Sequence, residues 1–191
     1  MKKSKHILCL GLSPAIQRIL EFDQFTRNQV NRTARVSECA SGKATNAART
    51  LKDLGSPYSL LSFGSAYFAT LLEQEEIAYQ LITTEADTRI CQSILVKEPP
   101  SSTELVEEMQ APNAAEWALF KEAFSRIIPS CQGLLLCGSP PPGSPKNIYA
   151  QLIKEAKQHD CWTMVDSQQA YLKEALKAEP LMVKCNREEF F

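Results

Sequence analysis

Apolar and polar positions follow two periods along this chain, and the switches between them predict its elements. Ile7–Leu12 is a continuous apolar run, as expected of a strand covered on both faces. Ile16–Phe22 alternates loosely and predicts a second strand. Ala44, Ala47, Ala48, Leu51 and Leu54 then recur at one-face helical spacing, and Gly55 closes that helix. Tyr58–Gly64 and Ala78–Ile82 predict strands around a short helix over Tyr67–Glu75. Glu98–Ser102 predicts a turn. Asn113 followed by Glu116 predicts a reciprocal N-cap. The helix it opens runs to about Ile128, buries Phe120, Ala123, Phe124 and Ile127, and ends at Pro129. Gly133–Cys137 reads as a buried strand. A helix with Pro145 near its first turn follows, its apolar face made by Tyr149, Leu152, Ile153 and Ala156. Trp162–Val165 is a further strand, followed by a helix over Ser167–Lys177. Strands alternating with helices predict an α/β protein built on a parallel three-layer sheet.

Candidate chemistry gathers at the junctions. Ser41-Gly42-Lys43 leads straight into a helix, so backbone N–H groups and a lysine charge meet at the helix's positive end. That suits a phosphate or a sugar hydroxyl. It also suits an ordinary helix start with Ser41 as cap and Lys43 in solvent. Arg89 carries a planar, permanently charged fork that can hold a phosphate, or it is an exposed arginine on an edge strand. Asp166 ends a predicted buried strand, where a carboxylate can serve a magnesium ion through water or cap the next helix. Asn186 and Glu189, three residues apart on a starting helix, face one side.

These stretches, taken in order, resemble the signatures of the ribokinase-like (PfkB) carbohydrate kinases, and most closely the sugar-phosphate branch: 1-phosphofructokinase, tagatose-6-phosphate kinase and the minor 6-phosphofructokinase. The first signature reads roughly Gly-Gly-Lys-Gly-x-Asn-x-Ala-Arg. Gly42, Lys43, Asn46, Ala48 and Arg49 match it, while Ser41 and Ala44 stand where glycine is usual. Thr88-Arg89-Ile90-Cys91 resembles Thr-Arg-x-Asn. Gly138-Ser139-Pro140-Pro141-Pro142-Gly143 resembles a Ser-Gly-Ser-Leu-Pro-Pro-Gly loop, and Lys184-Cys185-Asn186 with Glu189 resembles Lys-Pro-Asn-x-x-Glu. Ser13-Pro14-Ala15-Ile16-Gln17 stands where an Asn-Pro-Ala-x-Asp segment holds sugar hydroxyls, so Gln17 hydrogen-bonds without charge.

The resemblance implies a ribokinase-like three-layer α/β/α fold, mostly parallel, with a small β lid. It places Gln17, Gly42, Lys43, Asn46, Arg89 and Ser139 on the substrate, with Lys43 and Arg89 on its phosphate. Lys184, Asn186 and Glu189 would serve the nucleotide, and Asp166 and Glu189 a magnesium ion through water. ATP and Mg2+ are the implied cofactors, and a ketohexose phosphate the implied substrate. The lid strands are expected near residues 16–38 and 88–97, with a homodimer through the lid. The family's catalytic Gly-x-Gly-Asp, whose aspartate acts as base, does not occur in this sequence, so no catalytic residue is assigned within it and the base is expected beyond Phe191. Residues 1–191 are therefore expected to be the N-terminal two-thirds of one kinase domain, incomplete at the C-terminus and inactive alone. The alternative is a non-catalytic sugar-phosphate-binding relative, suggested by the departures at Gln17, Ser41, Ala44, Cys91 and Cys185.

Composition changes this picture little. The formal net charge of -1 offers no electrostatic case for nucleic acid or an anionic membrane. Seven cysteines, none in Cys-x-x-Cys spacing, with only two histidines argue against a zinc cluster and for a reducing cytoplasm. His6 and His159 are expected at the surface.

Overall fold

The computed structural model describes residues 5–185. Among these residues, ten strands and five α-helices follow one another in the order β1 His6–Gly11, β2 Ala15–Phe22, β3 Val36–Ser41, α1 Lys43–Asp53, β4 Tyr58–Gly64, α2 Ala66–Gln74, β5 Tyr79–Thr83, β6 Ile90–Val96, β7 Ser101–Val106, α3 Ala114–Ile127, β8 Cys131–Cys137, α4 Ile148–Lys157, β9 Trp162–Asp166, α5 Gln169–Leu176 and β10 Met182–Lys184, with a short 3-10 turn at Ile128–Ser130 after α3. Six strands form an all-parallel sheet in the order β10-β9-β8-β1-β4-β5. Four form a smaller sheet in the order β3-β2-β6-β7, in which only β2 and β6 run parallel.

Strand alternation divides the large sheet between two cores. Leu8, Leu10 and Leu12 point to one face with Leu61, Phe63, Leu134 and Leu136, where α3, α4 and α5 cover them. Cys9 and Leu60 point to the other, with Leu135 and Cys137 beside them, under α1 and α2. Both faces are covered, which is why these strands read as unbroken apolar runs. Phe63, Trp117 and Phe120 form one aromatic cluster, with centroids 5.0–5.7 Å apart, so Trp117 serves packing.

The Asn113–Glu116 capping box is present. Asn113 Oδ1 accepts from the Glu116 backbone N–H at 2.9 Å, and Glu116 Oε2 accepts from that of Asn113 at 2.7 Å. Glu116 Oε1 also accepts from the Glu85 N–H, which satisfies a buried carboxylate.

Three expectations need correction. The turn predicted over Glu98–Ser102 is shorter, because Ser101 already opens β7. All six β7 residues are exposed, so the strand carries no apolar alternation to reveal it. α4 begins at Ile148 rather than near Pro145. The Ser139–Gly143 turn and the Ser144 hydroxyl, which donates to the Pro141 carbonyl, hold the chain off the helix until Asn147. His6 opens β1 and is half-buried, its Nε2 3.6 Å from Cys131 Sγ, and that burial lowers its pKa. All seven cysteines are free. Among the described residues no helix is long and apolar enough to cross a membrane.

Candidate functional site

The chain leaves β1 for β4 on one side and returns to β8 on the other, so strand order reverses at β1. Parallel sheets bind ligands in the crevice outside the carboxyl ends of the strands at such a point. A cleft of about 440 Å³ lies there, roofed by the smaller sheet. That volume is in the range of small-molecule sites. Gly11 and Ser62 floor it from β1 and β4, and Cys137, Gly138 and Ser139 wall it from the end of β8. Ala15, Ser41, Arg89, Cys91 and Glu108 come from the smaller sheet and its connections.

The N-terminus of α1 enters this cleft through Gly42, Lys43 and Asn46. Gly42 is the N-cap with φ 114°, and a Cβ there would lie 3.3 Å from Pro14 Cα. Only glycine adopts that turn without strain. Ser41 ends β3 and makes no side-chain cap, so serine serves there as well as glycine. Ala44 is tolerated for a different reason. It lies against Gly11, where any added Cβ would sit 2.7 Å from the Ala44 Cβ, so the space is supplied from the strand side. Asn46 N–H donates to the Gly42 carbonyl at 2.9 Å, the first bond of the helix.

Arg89 sits just before β6 on the opposite wall. Its Nε donates to the Pro14 carbonyl at 3.2 Å and its Nη1 to the Glu107 carbonyl at 3.1 Å. Both partners are neutral carbonyls, and the guanidinium shares the cleft with the Glu108 carboxylate. Cys91, across the strand pair from Gln17, is a half-buried thiol whose pKa burial raises despite Arg89.

Asp166 ends β9 and takes a lysine on each oxygen: Lys43 Nζ on Oδ1 at 2.8 Å and Lys184 Nζ on Oδ2 at 3.0 Å. The carboxylate is sheltered at 16% exposure, whereas the two lysine side chains are 49% and 57% exposed. Burial alone would raise the Asp166 carboxyl, but hydrogen bonds and charges from Lys43 and Lys184 outweigh it and hold the pKa below the ordinary 3.8. A folded value below the unfolded one adds stability at higher pH and loses it as acid titrates through the lowered value. The melting temperature of the native protein should therefore exceed that of Asp166→Asn near neutrality, and the two should converge as acid titrates through the lowered carboxyl pKa. A constant difference across a thermal pH series would contradict this linkage. Cys137, beside Asp166 at the end of β8, is pushed up to about 12, chiefly by burial and then by the Asp166 charge, and stays a neutral thiol.

The cleft thus brings together Gly42, Lys43, Asn46, Arg89 and Ser139. Gln17 stands on β2 beside it, its Nε2 donating to Ser93 Oγ at 2.9 Å, and its carbonyl oxygen is left to accept. Asp166 and Lys184 join the site through Lys43. Asn186 and Glu189 lie outside the described residues, and so does Phe191, beyond which the catalytic base is expected. Both Asp166 oxygens carry a cationic partner, and no group of three or more His, Cys, Asp or Glu among the described residues could hold a metal. In this arrangement two half-exposed lysines hold the Asp166 carboxylate. Glu108 was not foreseen: it contributes an exposed carboxylate to the cleft from a stretch with no recognisable pattern.

The comparisons with known proteins agree with this geometry. The sequence pattern described as pfkB family carbohydrate kinase matches residues 4–190. A tagatose-6-phosphate kinase of Staphylococcus epidermidis is 29% identical over 189 residues, covering 96% of this chain and 60% of the relative. Two solved structures share the fold. A possible 1-phosphofructokinase of Thermotoga maritima superposes with a TM-score of 0.87 at 20% identity, over 96% of this chain and 61% of the other. Escherichia coli phosphofructokinase-2 in complex with fructose-6-phosphate superposes with a TM-score of 0.88 at 23% identity, over 97% and 62%. The chain spans about three-fifths of the length of these relatives. A match over nearly all 191 residues, on a parallel sheet whose switch-point cleft receives the signature helix, makes this chain a member of the pfkB family of carbohydrate kinases.

Proposed function

We propose that these residues form the sugar-phosphate-binding part of a kinase that phosphorylates a ketohexose phosphate, of the 1-phosphofructokinase or tagatose-6-phosphate kinase type. What supports the reading is one juxtaposition: Lys43 at the α1 N-terminus and Arg89 on the facing wall line the same cleft. A phosphate there meets a permanently charged fork, a lysine and the positive end of a helix.

Lys43 is half exposed, so it can leave Asp166 for a phosphate while Lys184 still holds the carboxylate. Gly42, Asn46 and Ser139 line the sugar's place, and Gln17 accepts from a hydroxyl through its free carbonyl oxygen. ATP with Mg2+ would supply the phosphoryl group. Lys184, Asn186 and Glu189 are assigned to the nucleotide, and Asp166 and Glu189 to the magnesium ion through water. The base that activates the sugar hydroxyl is assigned to a segment following Phe191 in the whole enzyme. A homodimer through the smaller sheet belongs to the same reading.

Titration calorimetry of the longest natural polypeptide containing these residues tests the assignment. Tagatose 6-phosphate or a fructose phosphate should bind, and unphosphorylated tagatose and fructose should bind far more weakly. Equal affinity for phosphorylated and free sugars would defeat the proposal. Binding without any phosphoryl transfer by that polypeptide would favour a non-catalytic relative.

A further inference from the structure

Arg49 belongs to the signature helix but does not line the cleft, and its contacts explain its presence. It lies one turn after Asn46, on the same side of α1. Its Nη1 donates to Asn46 Oδ1 at 2.8 Å. Its Nη2 donates to the Ala40 carbonyl at 2.8 Å, and its Nε to Glu75 Oε2 at 2.8 Å. Glu75, the C-cap of α2, also accepts the Ala40 N–H on Oε1 at 3.1 Å. Arg49 and Glu75 therefore bracket the Ala40 peptide from both sides, two residues before Gly42. Three rigid elements, β3, α1 and α2, fix the plane of one guanidinium.

We infer that Arg49 is the positioning residue for Asn46, setting which end of the Asn46 amide a ligand meets. A guanidinium has five N–H donors and no acceptor. Only the oxygen of Asn46 can face it, so Nδ2 is the end left for the cleft. Asn46 then donates to a ligand oxygen and does not accept from a hydroxyl. A ligand that offers a lone pair at that point is selected over one that must donate there. Lysine could not replace Arg49, because one ammonium cannot reach Asn46, Glu75 and Ala40 in one plane. The selectivity rests on the sugar-phosphate reading of the cleft; the orientation of Asn46 rests on the contacts alone.

Two measurements on the longest natural polypeptide separate these levels. The first is the Asn46 side-chain amide signal in nitrogen-15 spectra, assigned by its loss in Asn46→Ala. It should be as ordered as the backbone in the native protein and become mobile in Arg49→Lys. The second is calorimetry with tagatose 6-phosphate. Arg49→Lys should weaken binding about five- to tenfold, yet by less than about twofold in an Asn46→Ala background. An unchanged amide signal in Arg49→Lys, or losses that add in the double variant, would overturn the inference, since a merely structural arginine predicts both. If the native protein binds no ketohexose phosphate, the proposed function falls, and the amide signal alone decides the positioning role. If Arg49→Lys does not fold, Glu75→Gln, which keeps Arg49 but loosens its anchor, is read by the same two measurements. A mobile Asn46 signal then supports the role and a rigid one refutes it.

Discussion

A polypeptide of these 191 residues, given MgATP and tagatose 6-phosphate or a fructose phosphate, should release ADP no faster than in the absence of sugar. Phosphoryl transfer is almost entirely positioning and charge stabilisation around an activated hydroxyl. This sequence supplies a cationic cleft but no second glycine-bearing anion hole: its seven glycines include no two in Gly-x-Gly spacing. Nor do the described residues offer a poised base. Asp166 is neutralised by two lysines, and its lowered pKa makes it a poorer proton acceptor. Glu108 is an exposed carboxylate with no side chain among the described residues positioned to orient it toward a hydroxyl. Kinases turn over at roughly 1–100 per second, so a coupled ADP assay distinguishes activity from none by several orders of magnitude. Sugar-dependent ADP release by this polypeptide would show that the acid–base chemistry lies at or before Phe191, and Glu108 would be the first place to look.

The second large effect concerns Arg89. Arg89→Ala in the longest natural polypeptide should weaken a ketohexose phosphate by about ten- to a hundredfold, as expected for a charged hydrogen bond worth roughly 1.5–3 kcal/mol. The same variant should leave an unphosphorylated ketohexose nearly untouched, because nothing on that ligand requires the charge. Arg89 is anchored through Nε and Nη1 to two backbone carbonyls. Its removal deletes a pre-aimed cation without leaving a buried carboxylate unpaired, so the fold should survive. Four affinities, two ligands against two proteins, give the answer by calorimetry. Equal weakening of both ligands would mean that Arg89 shapes the cleft and does not hold the phosphate.

Most of the large sheet was legible in the sequence because its strands are covered on both faces. Ile7–Leu12 and Gly133–Cys137 announce themselves as apolar runs for the same reason that they are buried. β7 was not legible, since a strand exposed along its whole length has no alternation to display. The signature helix was readable as a motif, down to the need for glycine at position 42. What the motif could not convey was contact across the chain. Lys43 and Asp166 are 123 residues apart, and no local pattern foretells that a lysine expected on a phosphate would rest on a carboxylate. Gln17 could be named as a polar replacement, but its bond to Ser93 depends on the pairing of β2 with β6. Arg49 was visible only as a matching letter, its role set by Glu75 on a different helix.

The position of β1 has a consequence for synthesis on the ribosome. This strand precedes the other described strands yet lies inside the sheet, paired with β4 on one side and with β8 on the other. β4 and β5 can join it as soon as they are made. The other flank of β1 must wait for β8, which follows β5 by roughly fifty residues. At translation rates of about 5–20 residues per second, that is a delay of several seconds. Throughout it, Ile7, Leu8 and Leu10 present open backbone groups and an uncovered apolar face to solvent or a chaperone. Nascent chains stalled between Thr83 and Cys137 are thus the species most exposed to wrong pairing. Slow codons in that interval would lengthen the hazard, and slow codons after Cys137 would not.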